Sequence, residues 1–459
     1  MRDNRLSTIA LLGAILCGTA NGETLTLAGL LARAQGSEPT FLAAQTDVAA
    51  AQARENQAFG MMLPQLSFTG SAHANDRSYR TRSPNVPTEE ASYRSHSLQL
   101  SLTQPIWRYG NWVGWKQAQK GVAQFHFQLE GAGQDLFARV VSAWFDLLAA
   151  RDTLAFTERQ EAAWHFYWKT TARGETLGEN SLLEATEARA KLDQAIADRV
   201  VAQTDVEIKR ALLEQIVGTL GEFDLPEMRA EAELADPSRE KLEAWLLDVE
   251  RRNPRLLAAS SAYETASDEV RKERANHYPT LDLVASYGKN TQDEVGTQAY
   301  QPGYDIKQGS VGLQLTIPIF AGGTVSAKVR EAIARQDKAR LEVEASRRAA
   351  VMTTKEAWFS WVGARARAQA GKQMVQAAHL SLKQARLGEE TGESGTYEIL
   401  QAEEQLRKGE RDFRKARYDQ VVSYVRLKSL AGLLMTEDIV ALDALLLPTA
   451  HEKTPAGEK

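Results

Sequence analysis

Residues 98–107 read LQLSLTQPIW, and residues 311–320 read VGLQLTIPIF, the same pattern 213 positions later. An apolar residue stands at every second position, Leu98, Leu100 and Leu102 in the first and Val311, Leu313, Leu315 and Ile317 in the second. A proline follows each run, at Pro105 and Pro318. Period-two alternation gives a strand one apolar and one polar face. Each stretch has a companion: Leu66, Phe68, Gly70 and Ala72 follow Pro64, and Leu281, Leu283, Ala285 and Tyr287 follow Pro279. All four are about 10 residues long, the length of a tilted transmembrane strand.

The duplication runs through the whole chain. Pro39 and Pro64 recur as Pro254 and Pro279, shifted by 215. Trp144-Phe145 recurs as Trp358-Phe359, and Gly178…Glu184 as Gly392…Glu398, both shifted by 214. Two copies cannot make a solenoid, which needs at least three. They make one architecture of two halves packed side by side.

Between the strand pairs lie helices out of scale for a globular domain. Arg108 to Arg173 and Ser326 to Leu387 contain no proline. At 1.5 Å per residue, each gives a rod of roughly 90–100 Å. Partner helices are expected over Ser181–Val217 and Thr396–Leu430, and shorter ones over Thr40–Met62 and Arg255–Asn276. Their apolar stripes are narrow: Leu192, Ile196 and Val200 on one, Leu406, Phe413, Val421 and Val425 on another. Narrow stripes suit coiled-coil packing of rods. Both Trp-Phe pairs are expected in the helical core, and the run Trp164, His165, Tyr167 and Trp168 in inter-helix packing.

The chain has 459 residues and a net charge of −5, without the basic footprint of a nucleic-acid binder. Arg2 and Arg5, an apolar run from Ile9 to Leu16, and the small residues Gly18, Ala20 and Gly22 form a secretory signal peptide over 1–22, cut after Ala20 or Gly22. Cys17, the only cysteine, lies inside it, so no disulfide or thiol chemistry is expected in the mature chain. The seven histidines show no metal-binding spacing, and neither a nucleophile elbow nor a phosphate-binding glycine loop is present. Neither enzyme nor cofactor is expected.

The same strands could form a half-buried soluble sheet. Against that, the joining segments Asn75–Ser95 and Asn290–Gln308 are long and polar, and the nearly all-helical remainder supplies little to cover a sheet. Four strands cannot close a barrel, and an open edge in lipid leaves backbone groups unpaired. Three chains pool 3 × 4 = 12 strands; two would pool 8, barely wide enough to fill with side chains.

In order and spacing, these features resemble the TolC family of outer-membrane channel-tunnel proteins. The resemblance is strongest at Leu63-Pro64-Gln65-Leu66, Tyr278-Pro279-Thr280-Leu281, Pro318-Ile319-Phe320-Ala321-Gly322-Gly323 and Lys428-Ser429-Leu430-Ala431-Gly432. It implies an α+β membrane protein with an internal two-fold sequence repeat. A homotrimer would share a 12-stranded transmembrane β-barrel, four strands per chain, above a long α-helical coiled-coil barrel in the periplasm of a Gram-negative bacterium. It implies export work beside outer-membrane lipid, with a periplasmic adaptor (membrane fusion) protein and an inner-membrane ABC or RND-type transporter as partners. On this reading the first repeat spans 23–217, with strands near 65–76 and 97–106 and a helix tip near 174–180. A connecting equatorial segment follows at 218–240. The second repeat spans 241–432, with strands near 280–290 and 309–319 and a tip near 388–395. A second equatorial segment occupies 433–447, and 448–459 is a disordered tail.

The resemblance also assigns site residues. Gly178 and Gly392 mark the helix tips that contact the adaptor. The positions that line the family's acidic, cation-selective periplasmic aperture are Glu184, Glu187, Glu398 and Gln401. Spacing of i, i+3 puts each pair on one helix face. Three chains would ring nine carboxylates, which attract cations. The tyrosine and arginine that latch the family's tip are replaced by Glu389 and Ser394, leaving Arg386 and Arg173 as candidate substitutes. Trp107, Trp112 and Trp115 are expected either at the membrane interface or in packing between barrel and tunnel. A pore-less periplasmic coiled-coil adaptor or scaffold is the competing reading; it explains the rods but not the duplicated strands. The cargo, protein or small molecule, stays open.

Overall fold

The computed structural model describes residues 26–82, 85, 87–221, 223, 225–229, 241–295, 302–391 and 395–446. The expected signal peptide and C-terminal tail lie outside them. Each half opens with two short helices, α1 (Leu27–Ser37) and α2 (Pro39–Gly60), then α5 (Leu242–Arg252) and α6 (Pro254–Ala275). The same device starts the second helix of each pair. Proline fills the first turn, where its missing N–H costs nothing, and the preceding side chain caps the helix. Glu38 accepts from Phe41 N at 2.6 Å, and Asn253 Oδ1 from Leu256 N at 3.0 Å.

Strands β1 (Gln65–Tyr79) and β2 (Glu89–Trp107) follow in the first half, β3 (Thr280–Gln292) and β4 (Tyr304–Thr316) in the second. They form one antiparallel sheet in the order β1-β2-β3-β4. Leu66 faces Leu102, Phe68 faces Leu100, Leu100 faces Tyr287, Leu102 faces Ala285, Ala285 faces Val311 and Leu283 faces Leu313. The alternation therefore falls in step on all four strands. One sheet face is apolar, and the other carries Ser67, Thr69, Ser101, Asp282, Ser286 and Ser310. Ser286 and Ser310 touch there, Oγ to Oγ at 2.9 Å. The apolar face is uncovered: Phe68, Tyr287, Val311 and Leu313 are all exposed.

The strands differ in extent from the sequence reading. β1 runs three residues past its expected end near 76, to Tyr79, and β2 begins at Glu89, eight residues before its expected start near 97, inside the joining segment. Both faces are largely polar there, so apolar alternation gives no signal although the backbone ladder continues. β4 ends at Thr316, three residues short of the expected 319, and Ile317 to Phe320 lie outside it, before a turn at Gly322-Gly323.

Helices α3 (Tyr109–Leu177) and α7 (Thr324–Thr391) contain 69 and 68 residues, so each is a rod of roughly 100 Å. Near the sheet, neighbours run α2-α3-α6-α7; beyond the waist, α4 (Leu182–Val217) and α8 (Thr396–Leu430) replace α2 and α6, giving α4-α3-α8-α7. Seams of seven-residue spacing join the rods: Ala150, Thr157, Trp164 and Thr171 are buried on α3, and Ala188, Ala195 and Ala202 on α4. This is the period of a left-handed coiled coil, and alanine lets the backbones approach. The seam corrects one expected stripe. Val200 is exposed because i+4 steps from Leu192 drift off a 3.5-residue seam, and Ala195 and Ala202 fill it instead.

The main core sits at the waist. Leu27 and Leu30 of α1, Trp144 and Phe145 of α3, Leu213 of α4 and Val421 of α8 meet there, with Ile439 and Leu442 of α9 (Thr436–Asp443). Its counterpart in the second half gathers Trp245, Val249, Ala357 and Leu427, with Trp358 packed against it. Phe359 does not join: it is 62% exposed, while Trp361 is 1% exposed. On α7 the buried positions step 350, 354, 357, 361, 364, 368. Position 359 falls outside that 4-3-4-3-4 series, and 361 falls in it.

Candidate functional site at the helix tips and the barrel rim

At the first tip, α3 ends on Gly178, whose φ of 81° is the left-handed conformation glycine adopts without strain. Gly178 N donates to Glu175 O at 3.0 Å and Glu179 N to Gly174 O at 2.8 Å, closing the last turn. Asn180 Nδ2 reaches back to Thr171 O at 3.2 Å. The chain then enters α4 through Ser181. Glu184 N donates to Ser181 Oγ at 3.2 Å, and Ser181 N donates to Glu184 Oε2 at 3.0 Å. This reciprocal capping box sits at the positive end of the helix dipole, where a carboxylate is favoured.

The second tip repeats half of it. Gly395 N donates to Glu398 Oε2 at 3.1 Å, but Gly395 has no side chain to return the bond. Gly392 and Ser394 lie outside the described residues. Glu184, Glu187, Glu398 and Gln401 are all exposed, and 184 and 187 correspond to 398 and 401 under the repeat. Two of the sequence-predicted acids thus anchor helix starts, which fixes their aim. The S-x-x-E spacing at Ser181–Glu184 carried that signal in the sequence.

Of the candidate latch residues, Arg386 is engaged within its own hairpin, Nη2 to Glu403 Oε1 at 2.6 Å. Arg173 and Glu389 are exposed. Aromatic rings help join the two hairpins here, alongside the Gln160 Nε2 to Glu404 Oε1 hydrogen bond of 2.7 Å. Tyr397, in the first turn of α8, lies 5.6 Å from Tyr167 and 6.2 Å from Trp164, centroid to centroid. Trp164 is buried among Leu192, Ala195 and Tyr167, with Leu400 packed against them. The sequence reading found the α3 aromatic run but missed Tyr397, the immediate neighbour of Glu398.

At the other end of the rods, Trp107 closes β2 and is exposed, as is Trp112 on the first turn of α3. Trp115 is half-buried against Phe59 at 5.9 Å, and Lys116 Nζ lies 3.8 Å from the Trp112 ring centre. Of the three tryptophans, two are thus exposed and one is packed. Tyr109 bridges Trp112, at 5.9 Å, and Tyr278 of the second half, at 5.6 Å. At the helix end of the polar sheet face, Arg108 grips buried Asp282 with both ends of its fork, Nε–Oδ1 and Nη2–Oδ2 each 2.7 Å. Planar bidentate pairs of this kind hold geometry as well as charge. No helix among the described residues is long and apolar enough to cross a membrane.

Comparison with known proteins bears on the family and the fold. The chain is 27% identical over 429 residues to the outer membrane protein TolC of Escherichia coli (strain K12), covering 90% of this chain and 83% of that protein. It is 26% identical to the alkaline protease secretion protein AprF of Pseudomonas aeruginosa, covering 88% and 83%. Among solved structures, the Campylobacter jejuni CmeC outer membrane channel superposes with a TM-score of 0.73 at 15% identity, covering 94% of both chains. The model of the outer membrane efflux protein family matches residues 30–219 and 245–433, one block for each half. The chain belongs to the outer membrane efflux protein family and is a TolC-type export channel of the outer membrane.

Proposed function

We propose that three copies of the chain close into one duct, a 12-stranded barrel continued by a helical tunnel, and that cargo crosses the periplasm and outer membrane inside it. The carrying observation is a pair of matching unfinished edges. At the sheet, β1 and β4 each keep one unpaired edge among the described residues, and the uncovered face is apolar. Along the rods, α4 and α7 are the outer members of the helix row, and both expose apolar side chains. Met352, Phe359, Leu380 and Leu387 on α7 are exposed and differ by multiples of seven. Val201, Ile208 and Leu212 are exposed on α4. Burying both edges needs neighbouring copies, β1 against β4 and α4 against α7. A pore-less adaptor gives no account of the apolar sheet face.

In this reading Glu184, Glu187 and Glu398 ring the tunnel's narrow end, with Gln401 beside them. Gly178 and Gly392 mark the ends that meet a periplasmic adaptor, through which an inner-membrane ABC or RND-type transporter supplies the energy. Likeness to a protease secretion protein favours protein cargo over small molecules. Trp107 and Trp112 mark the periplasmic interface of the membrane. Planar-bilayer recording of detergent-purified protein tests the reading: a small, steady, cation-selective conductance is expected, and folded protein without any conductance would overturn it.

A further inference from the structure

The polar face of the sheet is free of charge over most of its height. Ser67, Ser101, Ser286 and Ser310 stand in one register row across all four strands. In a closed barrel this face lines the lumen, and three copies would join the row into a ring of hydroxyls. Every position of this face from Thr103 of β2 out to Ser97, with its register partners on the other strands, is serine, threonine, glutamine, asparagine, glycine, valine or isoleucine. The next row outward reads His73, Ser95, Gln292 and Tyr304. His73 is exposed and has no hydrogen bond or ion pair among the described residues. Its neighbours are engaged elsewhere: Tyr304 Oη donates to Gln292 Oε1 at 3.2 Å, and Asn75 Nδ2 to Ser95 Oγ at 3.0 Å. His96, next to Ser95, lies on the opposite, apolar face.

Charge returns only at the two ends of this stretch. At the helix end Asp282 is held by Arg108. Beyond the row of His73, Arg77 of β1 and Glu89 of β2 are the next charges on this face, and Asp293 and Glu294 follow the end of β3. β4, which the proposed closure lays against the open edge of β1, has no charge on this face between Tyr304 and Thr316. The other titratable side chains here are the phenols of Tyr79, Tyr93 and Tyr304. Histidine is the side chain whose charge ordinarily changes between about pH 5 and 8. We propose that His73 is the specificity-determining residue of the barrel. At neutral pH the lumen there takes solutes of either sign; in acid, three imidazoliums, one from each copy, make it favour anions. No carboxylate in the uncharged stretch offsets them. The inference rests on the strands forming a transmembrane barrel.

The mature chain is expected to hold no cysteine, so Ser95→Cys places a lone thiol directly opposite His73. The full-length mature protein with this change is reconstituted into phosphatidylcholine nanodiscs at low salt. Its thiol is reacted with an anionic and, separately, a cationic methanethiosulfonate. The ratio of the two rates cancels the thiolate fraction, which both reagents share, and reports the local potential. Between about pH 7.5 and about pH 5.5 the ratio is expected to shift about threefold toward the anionic reagent. Adding His73→Gln is expected to abolish the shift, and adding His73→Lys to hold the ratio near its acid value at both pH values. A ratio that does not move with pH overturns the proposal, as does a shift that survives His73→Gln. The two readings fail differently. A reactive thiol with an unmoving ratio removes this inference alone, whereas a thiol shielded from both reagents removes the water-filled barrel beneath it.

Discussion

Glu184 and Glu398 occupy the same place in the two halves of the chain: each is the third residue of its helix, and each accepts from the backbone N–H of its cap, at 3.0 and 3.1 Å. Capping leaves the charge in place and fixes where it points. Glutamine can still accept that bond, so Glu184→Gln with Glu398→Gln removes charge while largely keeping the tip. The double variant is expected to cost at most about 1 kcal/mol. Cation preference in planar bilayers is expected to fall, and block by a trivalent cation to weaken about tenfold, because like-signed rings set selectivity in a pore. Unchanged selectivity and block would move the constriction elsewhere.

Tyr397 is the aromatic contact nearest the tips between the second hairpin and the first. Two ring pairs are lost in Tyr397→Ala, each worth about 0.5–1.5 kcal/mol beyond simple burial. The waist core is untouched by the change. Faster proteolytic cleavage at the tips and a larger mean conductance are expected, with the thermal midpoint moved by only a few degrees. Cleavage at the wild-type rate would show that the aromatic contact does not hold the tip.

Arg108→Ala strands the Asp282 carboxylate at the junction of barrel and tunnel. Because Arg108 is partly open to solvent, the loss is expected near 2 kcal/mol, below that of a fully buried pair. Adding Asp282→Asn should restore most of it. A double-mutant cycle on thermal or denaturant unfolding measures the coupling, and additive effects would contradict it.

Glu38 provides a pH signature. Burial opposes its charge, but bonds from Thr40, Phe41 N and Arg139 outweigh that and hold its carboxyl below the ordinary range. A depressed folded-state value stabilises fully above the unfolded-state value, about 4.3. That contribution is lost as the pH falls through the lower folded-state value. Wild type is therefore expected to be more stable than Glu38→Gln at pH 7, with the gap narrowing below about pH 4. A gap that is constant with pH would show that the carboxylate's charge is not what stabilises this joint.

Much of this architecture was legible in the residues. Duplicated prolines and period-two runs located four strands, and proline-free stretches located the rods. What escaped had physical causes. Alternation reports apolar contact rather than hydrogen bonding, so the largely polar ladder of Arg77–Tyr79 with Glu89–Ala91 left no trace. A repeat shows that Trp358-Phe359 corresponds to Trp144-Phe145, but not that the 3.5-residue seam of α7 selects Trp361 over Phe359. Tyr397 gains its meaning from α3, more than two hundred residues earlier, and no local pattern links them. The row of Ser67, Ser101, Ser286 and Ser310 appears only once the register of the four strands is known.

The central claim is that one chain is a third of a duct. Native mass spectrometry of the detergent-purified protein tests it most directly. The account predicts particles of three chains that persist until the detergent micelle is stripped. A stable monomer would contradict it, because four strands leave two edges open in lipid. A stable dimer would also contradict it, because eight strands enclose no adequate conduit.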